Sequence, residues 1–398
     1  MVGRAIIAGG SIGGLFAAAM LRRAGWEVIV LERARAELAG RGAGIVTHDL
    51  LVRLIEAAGA DTADLGVQVM RRVAFDMSGA VTADMPLPQV VTSWERVHSS
   101  LRRLMPEGSY RLGHSIAAVE DLGTSVRLRT EEGAVVEGDI AIGADGFRSA
   151  VRGSVAPGTG PEWSGYVVWR ALATEADLPA HIRRDVFEHF AFFLPAGSQI
   201  LTYPIAGPDN DLRPGHRRLN LVWYLPVRPE ALDDMLTDAE GRRHDMTIPP
   251  PLIRDEVLGA MMESARARLA RPFVEILEHA ERPFFTPIYD HLAPVFARGR
   301  IALAGDAASV ARPHVGMGVT KAAADAEALA RHLGQAEPVP ALRAYSAERH
   351  AAAALAHGVG RTLGSWIVSG GGRDDGTAHP REREFLAQTA VVPARPLT

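Results

Sequence analysis

Cysteine is absent from the 398 residues, and lysine occurs once, at Lys321. Without thiols the chain cannot form disulfides, build thiolate metal sites, attack as a cysteine nucleophile or tether a cofactor through sulfur. Nearly all positive charge is therefore arginine. The 43 basic and 47 acidic residues leave a formal charge of −4, without the basic field of a nucleic-acid binder. No run is apolar enough to span a bilayer. The apolar stretch from Ala5 to Leu21 resembles a signal segment in length, but Gly9-Gly-Ser-Ile-Gly-Gly14 would break its helix, and only Arg4 supplies charge ahead of it. A cytoplasmic protein bound neither to nucleic acid nor to membrane is expected. The histidines show no ligand spacing with carboxylates, so no metal is expected.

What is present is an ordinary globular balance, 47% hydrophobic and 23% charged, in a chain long enough for two domains. Three glycine-rich segments punctuate it: GGSIGG (Gly9 to Gly14), GADGFRS (Gly143 to Ser149) and IALAGDAAS (Ile301 to Ser309). The first lies between a predicted strand (Arg4 to Ala8) and a helix of small residues (Leu15 to Ala24). Gly25 stops the helix, and Trp26 to Glu32 reads as the next strand, completing a βαβ unit. Small residues are needed there because a pyrophosphate must approach backbone N–H groups at a helix start. Gly9 makes the tight turn, Gly14 lets helix and strand pack closely, and Gly13 is a further cofactor-binding candidate of the same segment. Ser11 stands where a second glycine is usual, and either crowds the phosphate or hydrogen-bonds it. Glu32, followed by Arg33, ends the second strand, where a carboxylate can accept from ribose hydroxyls. Taken alone, the fingerprint could be a structural turn.

Further on, Val73 to Val91 reads as short strands broken by Ser78-Gly79 and by Pro86 and Pro88. A helix is predicted over Trp94 to Met105, and strands Ser125 to Arg129 and Val135 to Ile142 flank a tight connection at Glu131-Glu132-Gly133. Tyr166 to Asp290 has a different texture, with aromatic strands at Tyr166–Ala171, Gln199–Ile205 and Leu219–Val227. Ile248-Pro-Pro-Pro251 reads as a polyproline surface loop. A buried strand resumes at Arg300 to Ala304, followed by a helix over Val319 to Leu333. Two more helical stretches, Val339 to Leu355 and onward to Trp366, precede a proline-containing tail. No internal repeat is visible. The expected architecture is α/β and interleaved: a nucleotide-binding domain from 1–72, 93–163 and 292–335, a mostly β domain from 73–92 and 164–291, and C-terminal helices and tail over 336–398.

GADGFRSAVR (Gly143 to Arg152) and GRIALAGDAAS (Gly299 to Ser309), with Pro313-His-Val-Gly-Met-Gly318, resemble the paired motifs of the FAD-dependent aromatic hydroxylases, the single-component flavoprotein monooxygenases. The resemblance covers almost the whole chain and implies a para-hydroxybenzoate hydroxylase-like fold with a Rossmann-like FAD-binding domain. It places Asp145 and Gly146 near the FAD pyrophosphate, where they help NAD(P)H to dock. It places Asp306 on the ribityl or ribose hydroxyls and the Gly316–Gly318 turn at the flavin pyrimidine oxygen, with Gly305 and Pro313 of the same motifs also binding the cofactor. A helix N-terminus stabilises the negative charge of a reduced flavin there. SGYVVWR (Ser164 to Arg170), LTYPIAG (Leu201 to Gly207), RLNLVWY (Arg218 to Tyr224) and RPHVGMGVTKAAADA (Arg312 to Ala326) are most similar to the 2,6-dihydroxypyridine 3-hydroxylase branch, whose substrates are hydroxylated nitrogen heterocycles. Many relatives carry an arginine on FAD where Trp94 follows Ser93 here, and Arg41 or Arg96 could substitute. Ser309 is often histidine in relatives. A homodimer is the family expectation.

The resemblance further implies that NADH or NADPH reduces FAD, that O2 adds to form a flavin hydroperoxide, and that its distal oxygen attacks an electron-rich ring carbon. The β domain would roof an apolar pocket that keeps water out. Alternation along Leu219–Val227 puts Asn220, Val222 and Tyr224 on one face and Leu221 and Trp223 on the other. Tyr224 is thus either a substrate-side residue or a core aromatic with a satisfied hydroxyl, and Tyr203 has the same alternatives. His314 could bind substrate or relay its proton, and His48 could lie by the flavin edge, although a lone histidine is more often structural. Arg170 could hold substrate oxygens, with a surface ion pair the preferred reading. The alternative substrates are a urate-like purine or a phenol, and a non-catalytic flavin-binding regulator is the rival of another class. A flavin halogenase would need an active-site lysine well before mid-chain, and a plain NAD dehydrogenase would lack the late Gly-Asp segment.

Overall fold

Strand β1 (Arg4–Ala8) is Ala and Ile after its first residue, and those four side chains are fully buried. Such a strand suits the middle of a parallel sheet covered on both faces. It pairs in parallel with β2 (Glu27–Glu32) on one side and with Ile140–Gly143 on the other. Helix α1 (Ile12–Arg23) makes the crossover, three residues earlier than its apolar run suggested, because Gly13 and Gly14 are accommodated in its first turn. The six-stranded sheet is completed by Tyr110–Leu112 beyond β2, and by Ile301–Leu303 and the antiparallel edge Ala297–Arg298 beyond Ile140–Gly143. The structure, a computed structural model, describes residues 2–38, 44–369 and 382–391.

A nine-stranded sheet faces this unit, ordered Ser309–Val310, Phe284–Leu292, Glu162–Thr174, Arg218–Pro226, Gln199–Ile205, Phe190–Phe193, Val67–Phe75, Val81–Ser93 and Gly44–Val46. Its side chains alternate between two cores. Trp169, Leu221 and Trp223 enter an outer core with Met261 and Phe273 of the covering helices, whereas Val168, Val222 and Tyr224 enter an inner core facing the dinucleotide unit.

Five sequence expectations change. Pro86 and Pro88 do not break a strand: Val81–Ser93 is continuous, and along the stretch holding the prolines it is paired on one side only. A strand with a free edge tolerates a missing N–H. Val135 to Ile142 divides at Asp139 into Val135–Gly138, in a three-stranded sheet, and Ile140–Gly143, in the parallel sheet. The two C-terminal helices are one, Pro338–Ser369, of 32 residues. The boundary at 72/73 falls inside strand Val67–Phe75, which belongs wholly to the β layer, and Glu382–Gln388 packs into the inner core rather than standing apart as a tail.

Candidate active site

Three cavities run end to end past the carboxyl ends of the parallel strands, where open α/β sheets bind ligands. The first, of about 460 Å³, is lined by Glu32, Arg33, Asp145, Gly146, Arg148 and Trp94 among others. The second, about 250 Å³, shares Ser11, Trp94, Ala144 and Gly146 with the first and adds Gly13, Gly305 and Asp306. The third, about 280 Å³, takes over at Asp306, Gly318 and Val319 and ends on the inner face of the large sheet, at Arg170, Tyr203, Tyr224 and His314.

The glycine turn is held by close contacts. Gly9 has φ +101°, and a Cβ there would lie 2.3 Å from the Ala144 carbonyl oxygen. Glu32 braces the turn as well: its carboxylate accepts from the N–H of Gly10 and from that of Ala34, both at 2.8 Å. Ser11 caps α1 without a side-chain bond, and the first helical turn holds no acid, so no described side chain caps that N-terminus. Asp145 accepts the N–H of Ala150 at 2.7 Å, while its other carboxylate oxygen is buried without a partner. Asp306 stands exposed in the crevice and bonds no described residue. Crowding by the surrounding walls pushes its carboxyl pKa up, and the Lys321 charge pulls the other way.

The third cavity is aromatic and carries few free polar groups. His314 is fully buried, its ring centroid 4.4 Å from that of Tyr224. Its Nδ1 donates to the Gln199 side-chain oxygen at 2.9 Å, so Nε2 accepts from the Tyr166 hydroxyl, also at 2.9 Å. Burial pushes the His314 pKa down to about 3, leaving the ring neutral. Arg312 is held by Asp290 at 2.7 Å. Thr389 and Ala390 close one wall.

A family described as FAD binding domain-like matches residues 163–290, which is the inserted sheet rather than the glycine turn. The chain is 31% identical over 335 residues to 2,6-dihydroxypyridine 3-monooxygenase of Paenarthrobacter nicotinovorans, covering 82% of each chain. The chain belongs to the FAD-dependent aromatic hydroxylases. The solved structure of 2,6-dihydroxypyridine-3-hydroxylase from Arthrobacter nicotinovorans superposes over the full length of both chains, with a TM-score of 0.90 and 26% identity. Klebsiella pneumoniae HpxO, solved with FAD and uric acid, shares the fold at a TM-score of 0.76 and 22% identity, over 97% of this chain and 93% of that one.

For an FAD-dependent hydroxylase the cleft has the right donor set. An extended dinucleotide needs carboxylate acceptors for its hydroxyls and free N–H groups for its phosphates, and Glu32, the α1 N-terminus and Asp306 line the run in that order. Tyr203, Tyr224 and His314 meet in the third cavity with Pro313, Gly316 and Gly318. Arg170 joins them there and makes no ion pair with a described residue, which corrects the surface-pair reading. His48 lies outside the cavities: Nε2 donates to the Ala390 carbonyl and Nδ1 accepts from the Thr320 hydroxyl, each at 3.1 Å, so it braces structure. Arg96 points away, to the Ala63 carbonyl and Ser100, and Arg41 lies outside the described residues. Trp94 itself lines the first two cavities and stacks on His98 at 4.4 Å.

Sequence reading missed Lys321, whose Nζ donates to the Gly305 carbonyl at 2.7 Å, and Asp325, which accepts the Gly305 N–H at 2.9 Å. Their four-residue spacing in a helix just after the Gly-Asp segment was an available signal. Arg72 was also missed. It is fully buried on its strand and donates to the carbonyls of Leu386, Thr389 and Ala390.

Proposed function

We propose that this hydroxylase acts on a small electron-rich nitrogen heterocycle bearing a hydroxyl group, of hydroxypyridine type, using O2 and NADH or NADPH. The observation that carries the reading is the third cavity. It opens from the crevice of Asp306 and Gly318, is about 280 Å³, and is walled by Phe190, Leu201, Tyr203, Val222 and Tyr224, which suits a one- or two-ring ligand. The similarity to 2,6-dihydroxypyridine 3-monooxygenase supports that substrate class over a urate-like purine or a phenol.

In this reading Glu32 and Arg33 hold the adenosine end of FAD. Ser11, Gly13, Asp145 and Gly146 flank the pyrophosphate, Asp306 accepts from the ribityl hydroxyls, and Pro313, Gly316 and Gly318 frame the flavin ring. Bound FAD supplies the redox chemistry, taking a hydride from the nicotinamide and activating O2. The protein binds, orients and keeps dry. Burial pushes the Tyr224 pKa up to about 12 and raises that of Tyr203, so both hydroxyls stay protonated and can donate to ring oxygens. His314, with both ring nitrogens engaged, presents its face to the ring and does not relay protons. A cytoplasmic homodimer completes the reading.

Purified protein should be yellow. A screen of hydroxypyridines, urate-like purines and phenols should show NADH or NADPH consumption stimulated most by a hydroxypyridine, with a product one oxygen heavier. Colourless protein would sink the proposal, and bound flavin that no ring stimulates would favour a regulatory flavin-binding role.

A further inference from the structure

Thr389 reaches the third cavity from just beyond the helix Glu382–Gln388, remote in sequence from the sheet and from the glycine segments. Both of its backbone groups are taken: the N–H donates to the Phe385 carbonyl at 2.9 Å, and the carbonyl accepts from Arg72. The residue is 1% exposed, and its hydroxyl bonds no described residue. The position is fixed from both sides. Before it, Phe385 and Leu386 are buried in the inner core, and Arg72 holds the Leu386 carbonyl. After it, the Ala390 N–H donates to the His314 carbonyl at 2.9 Å, and the Ala390 carbonyl accepts from Gln89 and His48, each at 3.1 Å. A Cβ on Gly316 would lie 2.8 Å from the Ala390 Cα, so the segment sits directly against the Pro313–Gly318 turn. A buried hydroxyl without a partner is a net cost to the fold, and this one is held rigidly in a cavity wall.

We propose that Thr389 determines specificity for a nitrogen ring, its hydroxyl accepting the ring N–H of the bound substrate. The proposal rests on the ring hydroxylation above and deepens it. A pyridine ring with an oxygen beside its nitrogen can carry the proton on that nitrogen, as a lactam N–H, and such a ring needs an acceptor in the cavity. Arg170 has donors only. Arg312 is held by Asp290, and both ring nitrogens of His314 are engaged. Asp306 lies where the cavity meets the second one, committed in this reading to the ribityl hydroxyls. Tyr203 and Tyr224 keep protonated hydroxyls that can donate to ring oxygens. Among the described side chains of this lining, that leaves the Thr389 hydroxyl for the N–H. A ring of the same shape with C–H in place of N–H leaves the hydroxyl unpaired and is disfavoured for that reason.

The test uses oxidised, FAD-loaded enzyme without NADH or NADPH, titrated with 2,6-dihydroxypyridine and with resorcinol, which has the same two hydroxyls and C–H in place of the nitrogen. Flavin difference spectra report each Kd. The wild type should bind 2,6-dihydroxypyridine more tightly than resorcinol. Thr389→Val keeps the shape without the hydroxyl and should weaken 2,6-dihydroxypyridine about five- to tenfold while leaving resorcinol within about twofold. Thr389→Ser keeps the hydroxyl and should retain most of the preference. Without substrate, Thr389→Val should unfold at the same urea concentration as the wild type or a higher one, because its hydroxyl has no partner to lose; a hydroxyl serving the fold would lower that midpoint. Unchanged 2,6-dihydroxypyridine affinity in Thr389→Val, or equal losses for both rings, overturns the proposal. If the wild-type protein holds no FAD, or no ring stimulates its NADH or NADPH oxidation, the ring-hydroxylation reading itself fails. A flavoenzyme that turns over hydroxypyridines and binds them equally well as Thr389→Val overturns the role of Thr389 alone.

Discussion

Lys321 donates from Nζ to the carbonyl oxygen of Gly305 at 2.7 Å, and Asp325, one turn later on the same helix, accepts the N–H of Gly305 at 2.9 Å. Both backbone groups of one glycine are thus gripped by buried side chains, immediately before Asp306. Lys321 and Asp325 lie 3.8 Å apart, and Arg349 completes the charge balance at 2.7 Å from Asp325.

Removing Lys321 leaves the Asp325–Arg349 pair intact but strips the buried Gly305 carbonyl of a charged donor, which costs about 1–3 kcal/mol. Lys321→Met should therefore lower folding stability by roughly that amount and release Gly305 from its clamp. FAD affinity should fall about tenfold with it, because Asp306 loses its fixed position. Urea unfolding and reconstitution of apoprotein with FAD measure the two effects separately. Unchanged FAD affinity in a destabilised variant would show that the clamp serves the fold alone.

Arg72 and Ala390 lie far apart in sequence, and their contact fixes one wall of the third cavity. The Ala390 carbonyl accepts from Arg72, from Gln89 at 3.1 Å and from His48 at 3.1 Å, and Ala390 adopts φ +52°. Burial pushes the Arg72 pKa down to about 10, so it remains charged at neutral pH. Arg72→Met strips donors from three buried carbonyls and should destabilise the protein by about 3 kcal/mol. The wall formed by Thr389 and Ala390 should loosen and admit water. The expected readout is a several-fold rise in hydrogen peroxide per hydroxylated product at unchanged FAD content. Coupling equal to the wild type would place the seal elsewhere.

Local signals in the sequence reached a long way. The βαβ unit, the strand at Gln199–Ile205 and the cavity-facing side of Tyr224 all follow from short-range pattern, because burial period and turn chemistry are properties of a few neighbouring residues. What stayed hidden depends on partners remote in the chain. Nothing near His48 or His314 announces that Ala390, Gln199 and Tyr166 occupy their ring nitrogens, so the same residue types read equally as relays or as braces. Glu32 was legible as a carboxylate at a strand end, but not as the acceptor that ties Gly10 to Ala34. Pro86 and Pro88 misled because a strand paired on one side tolerates what a central strand does not.

Gly44 shows how tightly the cavity is fitted. Its N–H donates to the Asn220 side chain at 3.2 Å, and a Cβ on it would lie 2.3 Å from the ring of Tyr203. Gly44→Ala should push Tyr203 into the third cavity and weaken binding of 2,6-dihydroxypyridine about tenfold. FAD should bind as before, since Gly44 lines neither of the first two cavities. Pairing the change with Tyr203→Ala should restore space, so the double variant should bind more tightly than Gly44→Ala alone. Additive losses would show that the ring of Tyr203 is not the obstacle.

The buried histidines set an acid limit on stability. Burial lowers the pKa of His314 from 6.5 to about 3, and burial together with the Arg152 charge lowers that of His291 from 6.5 to about 4. Below about pH 6.5 the unfolded chain protonates both rings while the folded chain keeps them neutral. Their contribution is therefore complete above that pH and is lost progressively as pH falls toward the folded values. The slope is at most about 1.4 kcal/mol per pH unit for each ring. Urea midpoints should fall between about pH 6.5 and 4.5, and His291→Asn should flatten part of that fall. Because His314 stays neutral in the folded protein, the pH profile of kcat/KM should show no limb that disappears in a His314→Gln variant. Such a limb would restore His314 as a proton relay and contradict the engagement of both its nitrogens.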